Sequence, residues 1–257
     1  MVQDKIKNHP SFSLILPFYN EEKVAGAVIE NYWQSLKKEN LSFELILVNN
    51  GSGDHTGAIL QDWVNSHPED AQIVQIQTNQ GYGWGILQGA AAATGRWLVM
   101  APGDGELGAG DLISALVMTE RVQALAAKGK RISRSDGMVR SLVSKIYNGI
   151  FHLLFPRVAI DDINGWPKVI ARDLWYSLGL VSKDWFIDAE IILKLTKRNI
   201  PIMEAPFAMQ RRKGGSSHVA LGTIVEFFKN LARWKLTGGK PWKIPVGQKM
   251  EKINARR

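Results

Sequence analysis

The chain contains no cysteine. Disulfides and thiolate metal sites are therefore excluded, and any metal must be held by carboxylates, histidines or carbonyl oxygens, a donor set suited to a hard ion such as Mg2+ or Mn2+. The five histidines are scattered in no ligand pattern, and no Ser/His/Asp order stands out. No run reaches the roughly 18 uncharged apolar residues that a membrane span needs. The opening MVQDKIKNHP lacks the apolar core of a signal peptide, which predicts a cytoplasmic protein. No phosphate-binding G-x-x-x-x-G-K-[ST] occurs. Gly81-Tyr82-Gly83-Trp84-Gly85 is followed by Ile86 and comes after the third strand rather than the first, so a dinucleotide fingerprint fails too. There is no internal repeat beyond a strand–helix alternation, and no segment is low in complexity.

What is present is an ordinary globular composition, with 45% apolar and 22% charged residues over 257 positions. That length suffices for one large α/β domain, or a domain plus a short appendage. The net charge of +8, from 32 basic and 24 acidic residues, favours anionic partners without choosing among them. Nine tryptophans accompany that charge, but no aromatic–basic repeat does, so no nucleic-acid partner is expected.

Along the chain, Phe12 to Leu16 reads as a buried strand stopping at Pro17, with Asn20-Glu21-Glu22 as a helix start and Asn20 as its cap. Val24, Val28, Tyr32 and Leu36 follow at helical spacing. Glu44 to Val48 is a second strand, ending in the turn Asn49 to Asp54 and leading to a helix carrying Ile59, Leu60, Trp63 and Val64. Gln72 to Gln77 is a third strand, Gly81 to Thr94 a small-residue helix, and Trp97 to Met100 a fourth strand. Apolar strands alternating with amphipathic helices predict a doubly wound, mostly parallel sheet with ligands beyond the carboxyl ends of its strands. Asp111 to Ala127 is predicted as a helix, Lys128 to Arg140 as a basic loop, Asp161 to Lys168 as a polar loop, and Phe186 to Arg198 as a helix.

Four groups of residues suggest chemistry. Asp104 and Glu106, flanked by glycines after the fourth strand, suit one divalent ion bridging a diphosphate, although Asp-Gly is also a common turn pair. Asp161 and Asp162 with Lys168 suit acceptor contacts or general-base work, or a turn with solvated acids. Asp188 and Glu190 open a helix, where acids complement the dipole in any case. Arg131, Arg134, Arg140, Arg211, Arg212 and Lys213 suit phosphate clamps or a solvated basic face.

Taken in order, these features resemble family 2 inverting glycosyltransferases of the GT-A fold, particularly the dolichyl- and polyprenyl-phosphate sugar synthases. The likeness runs from about Phe12 to His218. Leu14 to Glu21 matches the opening strand with P-x-Y-N-E, Glu44 to Asp54 the strand ending in D-D-G-S-x-D, and Asn79, Gly81, Gly83, Gly89, Ala93 and Gly95 the third segment. Pro102 to Glu106 falls on D-x-D and Gly129-Lys130-Arg131 on G-S-R. Arg140 and Tyr147-Asn148 follow at familiar spacing. Asp162, Asn164 and Lys168 match D-x-Q/N with a closing Lys, and Arg212, Gly215 and Ser217 match R-x-x-G-x-S.

The resemblance implies that Pro17, Tyr19, Glu21, Asn50 and Gly81 line the nucleotide-sugar site. Asp104, with Glu106 as a second ligand, would meet Mg2+ or Mn2+ and the diphosphate. Arg131, Arg140, Arg212 and Ser217 would meet phosphates of donor or acceptor, and Asp188, then Asp162, would serve as base for a hydroxyl acceptor. Two positions depart from the pattern: Asn49-Asn50 replaces a pair of acids, and Pro102 replaces the first acid of D-x-D.

The expected organisation is a catalytic domain over 1–220 and a basic amphipathic helix and tail over 221–257. The expected activity moves a sugar from UDP or GDP to a polyprenyl phosphate or to a glycan or other hydroxyl. The alternative is a non-catalytic nucleotide-sugar-binding protein. Ser141 to Phe155, and the Phe227-Phe228…Trp234 helix with Lys229, Arg233 and Lys235, suit either a peripheral membrane contact or a core helix and a solvated basic helix. A membrane partner protein would serve the same end.

Overall fold

Residues 9–133, 138–210 and 221–238 are described in a computed structural model. A seven-stranded sheet, ordered β3-β2-β1-β4-β6-β5-β7, carries helices on both faces. Its first half comprises β1 (Phe12–Phe18), β2 (Phe43–Asn50), β3 (Ala71–Ile76) and β4 (Trp97–Met100), all paired in parallel. The helices α1 (Ala25–Lys38), α2 (Thr56–Ser66) and α3 (Tyr82–Ala92) connect them.

Strand alternation divides the apolar runs between two cores. Phe12, Leu14, Leu16, Leu45, Leu47, Trp97 and Val99 face α1, α2 and α4 (Ala109–Val122). Ile15, Ile46, Val48, Leu98 and Met100 face α3, α6 (Arg172–Leu178) and α7 (Ile187–Lys197). Burial on both faces accounts for the near-continuous apolar runs, each such side chain contributing about 1.5–3 kcal/mol.

β1 continues through Pro17 rather than stopping there. Phe12 donates its N–H to Ser42 on the β2 side. By alternation the Pro17 nitrogen faces β4, whose pairing ends at Ile15 with Met100, so the missing N–H costs no ladder bond.

The second half of the sheet contains the three strands that sequence periodicity misses. β5 (Ala126–Ser133) takes the end of the expected helix and the first part of the expected basic loop, and α4 ends at Val122, where Gln123 turns left-handed with φ 52°. β6 (Lys168–Ala171) is antiparallel to both β4 and β5, and β7 (Met203–Ala208) is parallel to β5. Because β6 is reversed, its first residue, Lys168, pairs with Met100 at the end of β4. Lys168 thus lies at the carboxyl edge of the parallel strands.

The segments carrying Arg131 and Asp162 cross closely. A Cβ on Gly129 would fall 1.6 Å from the Trp166 carbonyl oxygen, and one on Gly165 would fall 2.1 Å from that of Gly129. Only glycine fits either position.

Beyond the sheet, α5 (Met138–Leu154) and α8 (Leu221–Thr237) pack with α7 around Tyr147, Phe151, Phe186 and Leu231. Lys235 donates to the Leu154 carbonyl, and Asn230 donates to Asp184, joining α8 to the loop before α7. Among the described residues no helix is long and apolar enough to cross a membrane.

Candidate active site

The loops after β1 and β2 are cross-linked. Asn20 is not a helix cap; it takes φ 55°, and its side chain accepts from the Gly53 N–H at 2.8 Å. The Glu21 N–H meets Thr56 Oγ1 at 2.8 Å, the Glu22 N–H meets Asp54, and Glu22 returns an acceptor to the His55 N–H. Asp54, held by these N–H groups and by Thr56, sits below the usual carboxylate range despite some burial. Helix α1 begins only at Ala25, and Pro17, Tyr19 and Glu21 lie on this rigid rim.

Asn50, at the end of β2, is buried and donates to the Gly81 carbonyl at 3.1 Å, while its Oδ1 has no protein partner. Gly81 caps α3 at φ 113°, a conformation that suits glycine. Tyr82 follows. Its ring stacks on Trp185, with centroids 4.4 Å apart, and meets Trp166 edge-on at 5.7 Å. Burial raises its phenol well above the ordinary value, and the carboxylates of Asp188 and Asp104 add to the rise.

Asp104 lies in the turn after β4. Its Oδ1 accepts the Glu106 N–H at 3.0 Å, and Gly105 supplies φ 78°. The turn is pinned from beneath by Tyr32, whose hydroxyl donates to the Leu107 carbonyl at 3.0 Å, and from the side by the Gln210 N–H to the Glu106 carbonyl. Tyr32 is a positioning residue that its helical spacing disguises as a simple core residue. Glu106 and Arg131 line one narrow cleft with Pro102, Leu107, Trp166, Phe207 and Met209. Among the described residues no three acids or histidines gather around one point. Asp104 and Glu106 are two carboxylates on one turn, too few for an all-protein cage, so any divalent ion there would need further ligands from solvent or substrate.

On the far side, Arg131 and Asp162 form a two-pronged ion pair, Nε to Oδ2 at 2.8 Å with Nη2 on Oδ1, and the Arg131 N–H adds a third bond at 3.1 Å. Although burial opposes it, this pairing holds the Asp162 carboxyl below its usual range. Lys168 donates to Asp188 at 2.8 Å and to the Gly165 carbonyl, with both side chains almost fully buried. Burial drives the Asp188 carboxyl up and the Lys168 amine down, and their mutual attraction opposes both shifts. Lys128, paired with Glu204 at 3.1 Å, is pushed down to about 8, again by burial. Glu190, by contrast, is a structural acid: it accepts from the Val181 and Ser182 N–H groups and pairs with Lys194.

Residues 13–214 match the model of the glycosyl transferase family 2 domain. The chain belongs to glycosyl transferase family 2. Among family 2 relatives, dolichyl-phosphate beta-glucosyltransferases from Dictyostelium discoideum and Drosophila melanogaster are 21% and 24% identical, over 75% and 77% of this chain and 64% and 67% of their own lengths. The undecaprenyl-phosphate 4-deoxy-4-formamido-L-arabinose transferase of Proteus mirabilis is 29% identical over 54% of this chain and 42% of its own length. The chain thus spans about two thirds or less of the length of these relatives. Glucosyl-3-phosphoglycerate synthase from Mycobacterium tuberculosis, solved with Mn2+, UDP and glucosyl-3-phosphoglycerate, superposes with a TM-score of 0.67 at 16% identity, covering 93% of this chain and 84% of that one. That likeness establishes the fold, the GT-A arrangement.

Within it, the edge formed by the ends of β1, β2, β4 and β5 and the start of β6 brings together Asn50, Gly81, Asp104, Glu106, Arg131, Asp162, Lys168 and Asp188. The side chain of Arg140, and Arg212 and Ser217, lie outside the described residues.

Proposed function

We propose that the chain transfers a sugar from a nucleoside-diphosphate sugar to the phosphate of a polyprenyl lipid in a single displacement that inverts the anomeric carbon. The observation that carries this reading is that Glu106 and Arg131 line one cleft, with Asp104 on the same turn as Glu106. Asp104 and Glu106 would hold Mg2+ or Mn2+, which supplies neutralisation of the departing diphosphate. Pro17, Tyr19, Glu21, Asn50 and Gly81 would hold the nucleoside, and Arg131, oriented by Asp162, would hold the incoming phosphate. The named relatives act on dolichyl and undecaprenyl phosphates, and the solved relative carries Mn2+ and UDP, which support both halves of the reading.

A phosphate acceptor is already ionised and needs no base. That suits a site whose candidate bases, Asp162 and Asp188, are both bound to cations. A hydroxyl acceptor would need Asp188, whose carboxyl burial makes the more basic of the two. Asp188→Asn keeps an acceptor for Lys168 and separates the cases. Transfer to undecaprenyl phosphate is expected to fall less than about tenfold, whereas loss of a true general base costs about 10²–10⁴-fold. A loss in that higher range would overturn the phosphate reading in favour of a hydroxyl acceptor.

The lipid acceptor also calls for a membrane face. Ile146 and Leu153 on α5 and Phe228 and Leu236 on α8 are exposed, beside Lys229, Arg233 and Lys235. Helices of this kind lie in the plane of an anionic surface. Flotation with vesicles containing phosphatidylglycerol is expected at low salt, and a protein that stays behind would refute the contact.

A further inference from the structure

Helix α4 buries one face in the protein, through Leu112, Ile113, Ala115, Leu116 and Thr119. Its other face is not the polar surface that a solvent-facing helix ordinarily shows. Val117, Met118 and Val122 are 42%, 39% and 62% exposed there, and Leu125, 52% exposed, extends the patch past the helix end. Gly110 and Ser114 are exposed on the same stripe, where neighbours recur every three or four residues. The Ser114 hydroxyl turns back onto the Gly110 carbonyl at 2.9 Å, so it presents no unmet donor. A Cβ on Gly110 would meet nothing within 4 Å, so packing inside the chain does not demand glycine there, although glycine weakens a helix.

The stripe is complementary to itself when reversed. Laid antiparallel on a second copy and centred on Leu116, it sets small residues against large ones: Gly110 falls opposite Val122, and Ser114 opposite Met118. About the same centre Asp111 falls opposite Arg121, so opposite charges close both ends of the contact. Arg121 is exposed and has no ion-pair partner among the described residues. Burial raises the Asp111 carboxyl and the Ala208 N–H offsets that only in part, so a cation beside it would stabilise the ionised form. An anionic membrane suits the patch less, because Asp111 and Glu120 flank it and Arg121 is the one cation of the helix.

We propose that α4 forms the contact of a twofold homodimer, in which the stripe from Gly110 to Val122 packs antiparallel on the same stripe of a second copy, with an Asp111–Arg121 ion pair at each end. The contact is independent of the donor and acceptor reading above. Its apolar part is small beside the roughly 800 Å² per partner of a standard interface, so the dimer dissociates on dilution.

Sedimentation equilibrium between about 1 and 100 μM tests it, a range that suits a small interface. The wild-type mass is expected to rise from that of one chain toward that of two. Val122→Asp and Gly110→Leu, both at open positions, are expected to stay monomeric throughout. Val122→Asp should melt within a few degrees of wild type, and Gly110→Leu at the same temperature or higher, because leucine strengthens the helix. Charge reversal supplies a second arm. Arg121→Glu and Asp111→Arg are each expected to be monomeric alone, and an equimolar mixture of the two is expected to regain the dimer, because each copy then carries the charge that the other lacks. A wild type that stays monomeric overturns the proposal, as does a dimer that survives both Val122→Asp and Gly110→Leu. A mixture of folded charge variants no heavier than its parts overturns the antiparallel arrangement about Leu116.

Discussion

The two halves of the sheet build their share of the site by different physics. At the ends of β1, β2 and β4, functional side chains are set by backbone groups: Asn20 on the Gly53 N–H, Asn50 on the Gly81 carbonyl, Asp104 on the Glu106 N–H. Around β5, β6 and β7, three buried or half-buried cations are set by three carboxylates, Lys128 by Glu204, Arg131 by Asp162 and Lys168 by Asp188. The first arrangement is local, so a substitution disturbs one loop. The second is a charge balance in a poorly hydrated interior, so removing any one member strands another.

The largest expected effect follows directly. Lys168→Met leaves the Asp188 carboxyl buried without its cation and is expected to cost about 3–5 kcal/mol in urea unfolding. The double variant Lys168→Met/Asp188→Asn is expected to recover most of that. Equal stability of Lys168→Met and wild type would break the contrast between the halves.

Asp104→Asn tests the other side. Asparagine retains the bond to the Glu106 N–H, so stability should stay within about 0.5 kcal/mol of wild type, as for partly exposed positions generally. Metal-dependent affinity for UDP or GDP is expected to fall at least about tenfold, read by calorimetry with and without Mn2+. Similar in size is the effect of Asn50→Asp, which sets a carboxylate against the Gly81 carbonyl in place of an amide donor. About 1–2 kcal/mol of stability should be lost, visible as a lower urea midpoint.

A further effect concerns pH. The Lys128 amine titrates near 8 in the fold, against an ordinary lysine value of 10.5. Between those values the unfolded chain holds a proton that the folded chain has released, so stability from this group rises with pH across the window. Above about 10, the buried tyrosines Tyr32, Tyr82 and Tyr147, all raised by burial, act in the opposite sense. A melting temperature that climbs between pH 8 and 10 in wild type, and does not in Lys128→Met, would bear this out.

The same contrast governs how much was legible in the sequence. The parallel half announced itself, because strands buried on both faces are continuous apolar runs such as FSLIL and ELILV. Asn20 misled because an Asn-Glu-Glu triplet looks like a helix start, whereas here its left-handed backbone serves a cross-link between two loops. β5 was hidden because AAKGKRIS shows no apolar period; its lysine is buried by an ion pair that lies 76 residues away in sequence. Asp104, Arg131, Asp162 and Asp188 could be named from motif order, but nothing in that order told that Asp162 grips Arg131 or that Asp188 shares a buried bond with Lys168.

The reversal of β6 has a consequence for how such a protein can change. In a wholly parallel sheet the chain leaves every strand at the ligand edge, and each loop there must also launch a helix. At β6 the chain instead enters at that edge, so residues 161–167 end in a strand and are anchored to no helix start. A change in that stretch would re-seat no helix on the sheet; what it would disturb is the Arg131–Asp162 pair and the close crossing of Gly165 over Gly129.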